Sequence, residues 1–463
     1  MKISFHGAAE GVTGSCHLLQ VAGKKLLVDC GLFQGSRETE EDNAKPFGFD
    51  PASIDYLILT HAHLDHCGRI PLLVKQGFEG EIITTMATQE LARIVMLDSA
   101  YLNEEDARRK NRRLKRKNKE TELIEPLYST SDALYSLNYF GRRASYNKPI
   151  EVAKGIRATF IDAGHILGSA CIFLELEEQG RKRTILFSGD LGTNGRAILR
   201  DPDKPPHADV VVMETTYGDR AHKELEPSVD ELFEAINDTV ARGGNVIIPT
   251  FALERAQELL YYLHEGWKEK LLPRGLQVFL DSPMAISATT IFARHPECYD
   301  SETQKLFADG HDPFDFPSLH FSHEAADSMA LNNIYSGALI LAGSGMCVGG
   351  RVRHHLKRNI WREHCSVIFV GFAARGTLAR RIVDGAKAVS IFGEDIAVNA
   401  KIYTIGGFSA HAGQDELLAW HKAINKPQIT YLVHGEVDAM ETFAGLLDDT
   451  EVRIAKRDRE YEL

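Results

Sequence analysis

The sequence predicts an α/β protein, because its apolar segments are short and follow one another in two different patterns. In residues 1–218, β-like runs such as KLLVDCG (25–31) and TILFSGD (184–190) alternate with glycine-rich turns. From 228 to 390, apolar runs alternate with amphipathic segments such as SVDELFEAINDTVARGG (228–244), which is the strand–helix rhythm of a parallel sheet. The change of pattern predicts more than one domain in a chain of 463 residues.

Several strand-like runs before residue 218 are almost continuously apolar, as expected for strands that are covered on both faces. Ligands of α/β proteins collect at the carboxyl ends of strands. Four runs end in a polar residue that could serve there, namely Asp29, His61, His165 and Asp190. After 394, DIAVNAKIYTIGGFSAHAG (395–413) and QITYLVHGE (428–436) return to strands that are followed by histidine.

Composition indicates a soluble, globular, cytoplasmic protein, with 44% hydrophobic and 25% charged residues. The seven cysteines are scattered and form no CxxC pair, which predicts buried, reduced thiols. The N-terminus lacks the apolar region of a signal peptide, and no apolar run approaches the roughly 20 residues that span a bilayer. A net charge of −12 argues against general binding of polyanions.

One segment departs from this acidic balance. EEDARRKNRRLKRKNKETE (104–122) carries nine Lys and Arg residues between positions 108 and 119. It has two interpretations, a solvated helical excursion or a basic patch that attracts the phosphates of a nucleic acid.

The stretch LTHAHLDHCG (59–68) directly follows a strand and contains His61, His63, Asp65 and His66. A single tetrahedral zinc ion cannot take all four side chains from so short a loop. Two ions about 3.5–4 Å apart can, provided that other strands supply further ligands and a carboxylate bridges the ions. The sequence therefore predicts a metal centre at this loop.

HAHLDH resembles the HxHxDH signature of the metallo-β-lactamase superfamily, and LLVDCG, DAGHILGSA and FSGD follow in the order of its other motifs. METTYGD, GGFSAHA and LVHGE resemble the A, B and C motifs of the β-CASP branch, which cleaves nucleic acids. PTFALERAQELL, LDSPMA and LAGSGM resemble stretches of the β-CASP cap, although ALER carries Glu254 where glycine is more usual. The chain is most similar to the compact bacterial members that are like the cleavage and polyadenylation specificity factor.

The resemblance implies an αβ/βα metallo-β-lactamase sandwich with an inserted β-CASP α/β cap built on a parallel sheet. The sandwich would comprise residues 1–218 and 396–463, and the cap residues 219–395. Two Zn²⁺ ions would be bound, one by His61, His63 and His165, and the other by Asp65, His66 and His434. Asp190 would bridge them, and Asp29 would orient the metal-binding loop. The ligand types suit zinc but do not by themselves distinguish it from manganese.

The same resemblance implies hydrolysis by a hydroxide held between the two ions, whose pKa the metals lower to about 7. Asp65 would be part of the catalytic centre, His411 would protonate the leaving oxygen, and Glu214 would hold the His411 ring. The structural alternatives are a turn histidine at 411 and a carboxylate at 214 that caps a backbone turn.

The resemblance implies that a histidine at position 434 is typical of RNA-processing members. Single-stranded RNA is therefore the expected substrate, and the expected activities are endonucleolytic cleavage and removal of nucleotides from the 5′ end. GSGMCVGGR (343–351) and GFAARGT (371–377) could cradle its phosphates or be ordinary strand-to-helix turns. The phosphate-binding candidates in these loops are Ser344, Gly345, Arg351, Arg375 and Thr377.

Two other functions stay open: a DNA nuclease or small-ester or lactam hydrolase with the same metal core, and an RNA-binding scaffold with weak catalysis. The full set of expected ligands argues against an inactive scaffold. No membrane partner is expected, and a homodimer is an assembly that the sequence leaves open.

Overall fold

The computed structural model divides into two compact units, and it describes residues 1–35, 41–117, 122–222, 225–371, 373–374 and 376–463. The first unit consists of Met1–Asn194, Asp201–Ala221 and His411–Leu463, and the second of Gly195–Arg200 and His222–Ala410. The predicted break at 395/396 precedes a strand of the second unit, Lys401–Ile405. The limits 1–218, 219–395 and 396–463 stay a prediction.

Within the described part of the first unit, two sheets have seven strands each. The first sheet has the order β22 (Glu460–Glu462), β1 (Lys2–Gly7), β2 (Cys16–Val21), β3 (Lys24–Val28), β4 (Tyr56–Ile58), β5 (Glu81–Thr85) and β6 (Phe140–Ala144). The second has the order β21 (Glu451–Ile454), β20 (Ile429–Val433), β11 (Val210–Glu214), β10 (Arg181–Phe187), β9 (Ala170–Glu178), β8 (Ile156–Asp162) and β7 (Ile150–Ala153). β10, β11, β20 and β21 run parallel to one another.

The second sheet is covered on both faces, as the continuous apolar runs predict. Val210 and Val212 of β11 join a buried cluster shared by both sheets, which includes Leu19 of β2. Val211 and Met213 point the other way, into a cluster that includes residues of the flanking helices such as Trp420 and Phe443. Successive side chains of a strand alternate between faces, so an all-apolar strand fills two cores.

The helices of the first unit follow the strands to which they connect. They are α1 (Leu64–Cys67), α2 (Ile70–Lys75), α3 (Met86–Arg116), α4 (Thr130–Ser136), α12 (Gln414–Ala423) and α13 (Val437–Ala444). The longest, α3, is capped at its start by Thr85, whose side chain accepts a hydrogen bond from the Thr88 amide. None of the helices in the described ranges has both the length and the apolar character needed to cross a bilayer.

A parallel sheet forms the centre of the second unit, in agreement with the strand–helix pattern of its sequence. Its described strands have the order β14 (Leu319–Phe321), β13 (Gln277–Asp281), β15 (Ala338–Ala342), β12 (Val246–Pro249), β16 (Ser366–Val370) and β19 (Lys401–Ile405). β17 (Ala388–Ile391) and β18 (Glu394–Ala397) form a separate antiparallel pair.

The helices of the second unit alternate with these strands. They are α5 (Leu225–Ala241), α6 (Arg255–Lys268), α7 (Pro283–Phe292), α8 (Ser301–Ala308), α9 (Ala325–Ala330), α10 (Val352–Asn359) and α11 (Leu378–Val383). Glu254, the residue that stands where glycine is more usual, directly precedes α6 with φ +64°. This conformation favours glycine, which accounts for the preference at that position.

The seven cysteines are all buried and unbridged, as the sequence predicts.

Two glycines allow chain segments of the first unit to approach one another more closely than any side chain would permit. A Cβ atom at Gly31, just after β3, would lie 1.6 Å from the Asp65 carbonyl oxygen and 2.8 Å from the His66 amide nitrogen. A Cβ atom at Gly192 would lie 1.9 Å from the Gly164 carbonyl oxygen. Both glycines therefore fix the position of a loop that carries predicted metal ligands.

The substitution Gly31→Ala is expected to lower the free energy of unfolding by at least about 1–3 kcal/mol, because the backbone at Asp65 must move away from the new methyl group. Urea unfolding followed by circular dichroism measures the change. Gly11→Ala is the matched control, since a Cβ atom at Gly11 meets nothing within 4 Å. Equal unfolding midpoints for the two variants would contradict the proposed close packing.

Candidate active site

The predicted metal-binding loop lies where β4 ends and α1 begins. His61 and His66 are buried, and His63 is the residue that precedes α1. Only four residues lie between His61 and His66, and the turn brings their ring centroids to 4.0 Å from one another. His165 follows β8, Asp190 follows β10, and His434 follows β20. Strand ends of both sheets therefore supply the candidate ligands.

The first group of converging side chains is His61, His63, His165 and Asp190, whose potential ligand atoms all lie within 4.8 Å of one another. Nδ1 of His63 lies 3.2 Å from Nε2 of His61 and 3.1 Å from Nε2 of His165. Oδ2 of Asp190 lies 3.4 Å from Nε2 of His61 and 3.6 Å from Nε2 of His165. Ligand nitrogens about 2.0–2.1 Å from a tetrahedral zinc ion are about 3.3–3.4 Å apart, so this donor set fits a metal ion.

The second group consists of Asp65, His66 and His434. Nε2 of His434 lies 3.3 Å from Nε2 of His66 and 3.5 Å from Oδ2 of Asp65. Oδ1 of Asp190 lies 3.3 Å from Nε2 of His66. The two oxygens of Asp190 thus face different groups, which is the arrangement that a bridging carboxylate requires.

The protonation of the histidines in the first group also suits a bound cation. Burial lowers the pKa of His61 and of His63 to about 4, and it lowers the pKa of His165 well below the usual histidine value. These rings are therefore neutral, as a metal ligand must be. Burial opposes the charged form of His66 too, but the carboxylates of Asp190 and Asp29 outweigh it and raise the pKa of His66.

Asp190 is a buried carboxylate that needs positive charge beside it. It is 2% exposed, and its Oδ1 has no hydrogen-bond partner among the residues that the structure describes. Burial alone would raise the pKa of Asp190, but the surrounding imidazoles, His434 and His66 foremost, hold it well below the usual value. A buried carboxylate oxygen without a hydrogen bond is unfavourable, so this acceptor fits a cation between the two groups.

Asp29 contacts the loop through Thr60 and His66. Its Oδ2 accepts from the Thr60 hydroxyl at 2.9 Å and lies 2.7 Å from Nδ1 of His66, while Oδ1 accepts from the Thr60 amide at 2.8 Å. The contact to Nδ1 leaves Nε2 of His66 free to face the candidate metal position.

Glu214 and His411 meet beside Asp190. Nδ1 of His411 lies 3.3 Å from Oε1 of Glu214 and 4.0 Å from Oδ2 of Asp190. Glu214 is completely buried, and the same Oε1 accepts from the Leu191 amide at 2.6 Å. Burial acts to lower the pKa of His411, but the carboxylates, with Glu214 first, raise it to about 9. The ring is thus held by an acid and is partly open to solvent, with 22% of its side chain exposed.

Sequence reasoning missed two residues that fix the ligands, because neither belongs to a metal-binding residue type. The Thr216 hydroxyl lies 3.1 Å from Nδ1 of His434, and the Ser169 hydroxyl accepts from the His165 amide at 3.1 Å. Their closeness to the sequence motifs METTYGD and DAGHILGSA was the available signal.

The candidate phosphate-binding residues lie in the second unit. Ser344 and Gly345 follow β15, and the buried Ser344 hydroxyl has no hydrogen-bond partner within the described ranges. Arg351 donates to Oδ1 of Asp281 at 2.7 Å and to the Ser322 carbonyl at 2.8 Å. Thr377 caps α11 by accepting from the Arg380 amide at 3.2 Å. Arg375 lies outside the described residues.

Three family profiles match the chain in succession. The metallo-beta-lactamase superfamily matches residues 9–249, the Beta-Casp domain residues 256–382, and the Zn-dependent metallo-hydrolase RNA specificity domain residues 395–455. These matches confirm the predicted fold class, a metallo-β-lactamase domain with an inserted β-CASP domain. A crystal structure of a protein of unknown function from Enterococcus faecalis shares the fold, with a TM-score of 0.55 and 13% identity over 100% of this chain and 99% of that one.

Sequence relatives include Ribonuclease TTHA0252 of Thermus thermophilus, which is 39% identical over 452 residues, 96% of this chain and 96% of its own length. Transcription termination factor FttA of Methanocaldococcus jannaschii is 30% identical over 467 residues, 99% of this chain and 70% of its own. An RNase J-like protein of the same organism is 30% identical over 440 residues, covering 94% and 92% of the two chains. The chain therefore belongs to the β-CASP ribonuclease family of the metallo-β-lactamase superfamily and is a metal-dependent hydrolase.

Proposed function

We propose that this protein is a zinc-dependent ribonuclease that hydrolyses phosphodiester bonds of single-stranded RNA, as an endonuclease and also from the 5′ end. The observation that carries the proposal is the position of Asp190, whose two oxygens face separate groups of histidine and aspartate donors. The substrate class is supported by the relative named a ribonuclease and by the match to an RNA specificity domain.

In this proposal, His61, His63 and His165 would hold one zinc ion, and Asp65, His66 and His434 would hold the second. Asp190 would be a ligand shared by both groups. When bound, the two ions supply a water-derived nucleophile near neutral pH and neutralise charge on the phosphate. Three neutral imidazoles favour zinc, and the mixed oxygen and nitrogen donors of the second group accommodate zinc or manganese.

The leaving oxygen of the cleaved ester requires a proton, and His411 is its proposed donor. Its Nδ1 faces Glu214 at 3.3 Å, so the opposite ring nitrogen, Nε2, is the proposed donor of the proton. Glu214 is held in turn by the Leu191 amide, directly after Asp190. Glu214 therefore acts as a positioning residue that keeps His411 in register with the bridging carboxylate.

The loop after β15 is proposed to bind substrate phosphates through the Ser344 hydroxyl and the amide of Gly345. The unpartnered Ser344 hydroxyl supports this role, because a phosphate oxygen would satisfy it. Thr377 is proposed to contribute from the start of α11, and Arg375 stays a prediction from the sequence. Arg351 would first have to exchange its bonds to Asp281 and to the Ser322 carbonyl, so its participation demands a local rearrangement.

The alternative functions differ in the substrate that the same centre would act on. A DNA nuclease would use the same ligands and the same proton donor. A hydrolase of small esters or lactams would have no use for the Glu214–His411 pair as a donor to a ribose oxygen. A scaffold without catalysis would not need every ligand position filled, and the two donor groups are complete.

The wild type is expected to contain about two zinc ions per chain. Asp65→Ala should retain about one, because it removes a ligand of the second group alone, whereas Asp190→Ala should retain fewer than one, because it removes the bridge. Elemental analysis after dialysis against trace zinc measures the content. Asp395→Ala, at an exposed acid of the second unit, is the control and should match the wild type. Full metal content in Asp190→Ala would rule out a bridging role.

His411→Ala is expected to lower the rate of RNA cleavage by about 10²–10⁴-fold while leaving the metal content unchanged, since general acid catalysis contributes that factor. Initial rates on a 5′-labelled RNA and elemental analysis of the same sample provide both readouts. His364→Ala, at an exposed histidine, should cleave like the wild type. Loss of metal together with activity would instead make His411 a ligand.

Single-stranded RNA is expected to be cleaved, whereas DNA of the same sequence, an RNA duplex and the lactam nitrocefin are not. The 2′-hydroxyl and the single-stranded backbone are the features that separate these substrates. Product lengths from 5′-labelled RNA distinguish internal cuts from removal of terminal nucleotides. Cleavage of DNA at the same rate as RNA would favour a nuclease that acts on both polymers. Turnover of nitrocefin alone would overturn the proposal.

A further inference from the structure

The distal end of α3 is a strongly basic surface in a protein whose net charge is −12. Between residues 108 and 117 the helix and its C-cap carry eight Lys and Arg residues and no acid. These side chains are all exposed. We refer to this stretch, residues 108–117, as the basic arm.

Most of the positive charge on the basic arm is not neutralised by the protein. Arg108 donates to Glu104 and Glu105 at 2.9 and 2.7 Å, and Arg109 donates to Asp106 at 2.8 Å. Six further side chains have no ion-pair partner in the part of the chain that the structure describes, namely Lys110, Arg112, Arg113, Lys115, Arg116 and Lys117. Like charges three and four residues apart repel one another, so the arrangement opposes helix formation unless an anion binds to it.

The basic arm is attached to the first unit along one face. Ala107 is buried and Leu114 is half-buried, and the two lie about two turns apart on the same side of the helix. Between them, the Asn111 amide donates to the Ile124 carbonyl at 2.8 Å, and its carbonyl accepts from the Ile124 amide at 2.8 Å. This two-way contact fixes the rotation of the helix, so the basic side chains point outward as a defined surface.

The position of the basic arm relative to the candidate metal centre follows from the helix itself. At its start, the hydroxyls of Thr85 and Thr88 both donate at 2.8 Å to the carbonyl of Gly168, in the loop that carries His165. Arg108 comes 22 residues after the first residue of α3, Met86. With a rise of about 1.5 Å per residue, the basic arm begins about 33 Å along the helix axis from that loop. It is therefore too far from the metal ligands to contact the cleaved bond.

We propose that the basic arm binds the phosphate backbone of an RNA segment remote from the cleavage site, and this rests on the proposed function. Guanidinium groups suit phosphates because they present several donors in one plane, and half of the six unpaired side chains are arginines. A membrane surface fits less well, because the inward face of the arm packs against the protein and, among the described residues near it in sequence, the exposed aliphatic side chains are Leu102, Leu123 and Ile124. An acidic protein is the remaining alternative, and the experiment includes it.

The test measures binding of a 2′-O-methyl phosphorothioate RNA, checked for integrity on a gel, at several salt concentrations. The variant R112Q/R113Q/R116Q removes three unpaired charges and keeps residues of similar helix propensity. Each lost phosphate contact lowers the slope of log K against log salt by about 0.7, so the slope should fall by about 2. When the salt concentration falls from about 1 M to 0.1 M, the RNA affinity of the wild type should therefore rise by a factor about a hundred times larger than that of the variant.

Two controls separate the surface from general effects of charge and folding. K148Q/K154Q/K182Q removes three exposed charges from the second sheet and its turns, and it should bind RNA like the wild type. R112K/R113K/R116K keeps the charges and should therefore retain most of the salt dependence of RNA binding. It separates the loss of phosphate contacts from any loosening of the helix end that the loss of charge causes in R112Q/R113Q/R116Q. Circular dichroism of each variant reports the helix content.

The outcomes distinguish this proposal from the proposed function. If RNA binding depends on residues 112–116 but the wild type cleaves no RNA, the proposal for the basic arm is supported and the proposed ribonuclease function is overturned. Cleavage by the wild type with equal RNA binding by R112Q/R113Q/R116Q and by K148Q/K154Q/K182Q overturns the surface alone. The surface is also overturned if residues 112–116 affect only the binding of polyglutamate or of phosphatidylserine vesicles.

Discussion

The Asp190 carboxylate is the point at which the two halves of the candidate site meet. It follows β10 of the second sheet, yet its oxygens face His61 and His66, which come from the end of β4 in the first sheet. Such a buried carboxylate is stable only where positive charge replaces its hydration. The packing of the two sheets and the filling of the metal centre are thus coupled, because the apolar cluster shared by both sheets sets the distance across which the ligands meet.

The order of the strands explains why distant parts of the chain belong to one site. β20 pairs in parallel with β11, so that Val433 lies opposite Glu214. The chain leaves the first unit after β11 and returns at His411, and β20 then places His434 beside the strand end that carries Glu214. The second unit can therefore be inserted at this point without altering the register of the sheet that holds the ligands.

Spacing within the sequence predicted the parts of the site that depend on local geometry, whereas contacts between remote segments were invisible to it. The cluster at His61–His66 is detectable because four donors fall in one turn after a strand. The role of Gly31 is not, because it depends on the close approach of the Asp65 backbone. Arg351 illustrates the reverse case: its position in a glycine-rich loop suggested phosphate binding, but the fold directs its guanidinium to the buried Asp281.

The negative net charge of the protein opposes the binding of RNA, and the two proposed RNA contacts offset this repulsion. A protein of charge −12 repels a polyanion at long range, and salt screens that repulsion beyond about 10 Å at 0.1 M. Affinity would then come from local groups of opposite sign, which would be metal ions bound by the ligand cluster and the unpaired side chains of the basic arm. Because the two lie at opposite ends of α3, an RNA that reaches both would gain from two contacts, while a short one would gain from a single contact. The two proposals together therefore predict that longer substrates bind more tightly, with a minimum length set by the length of α3.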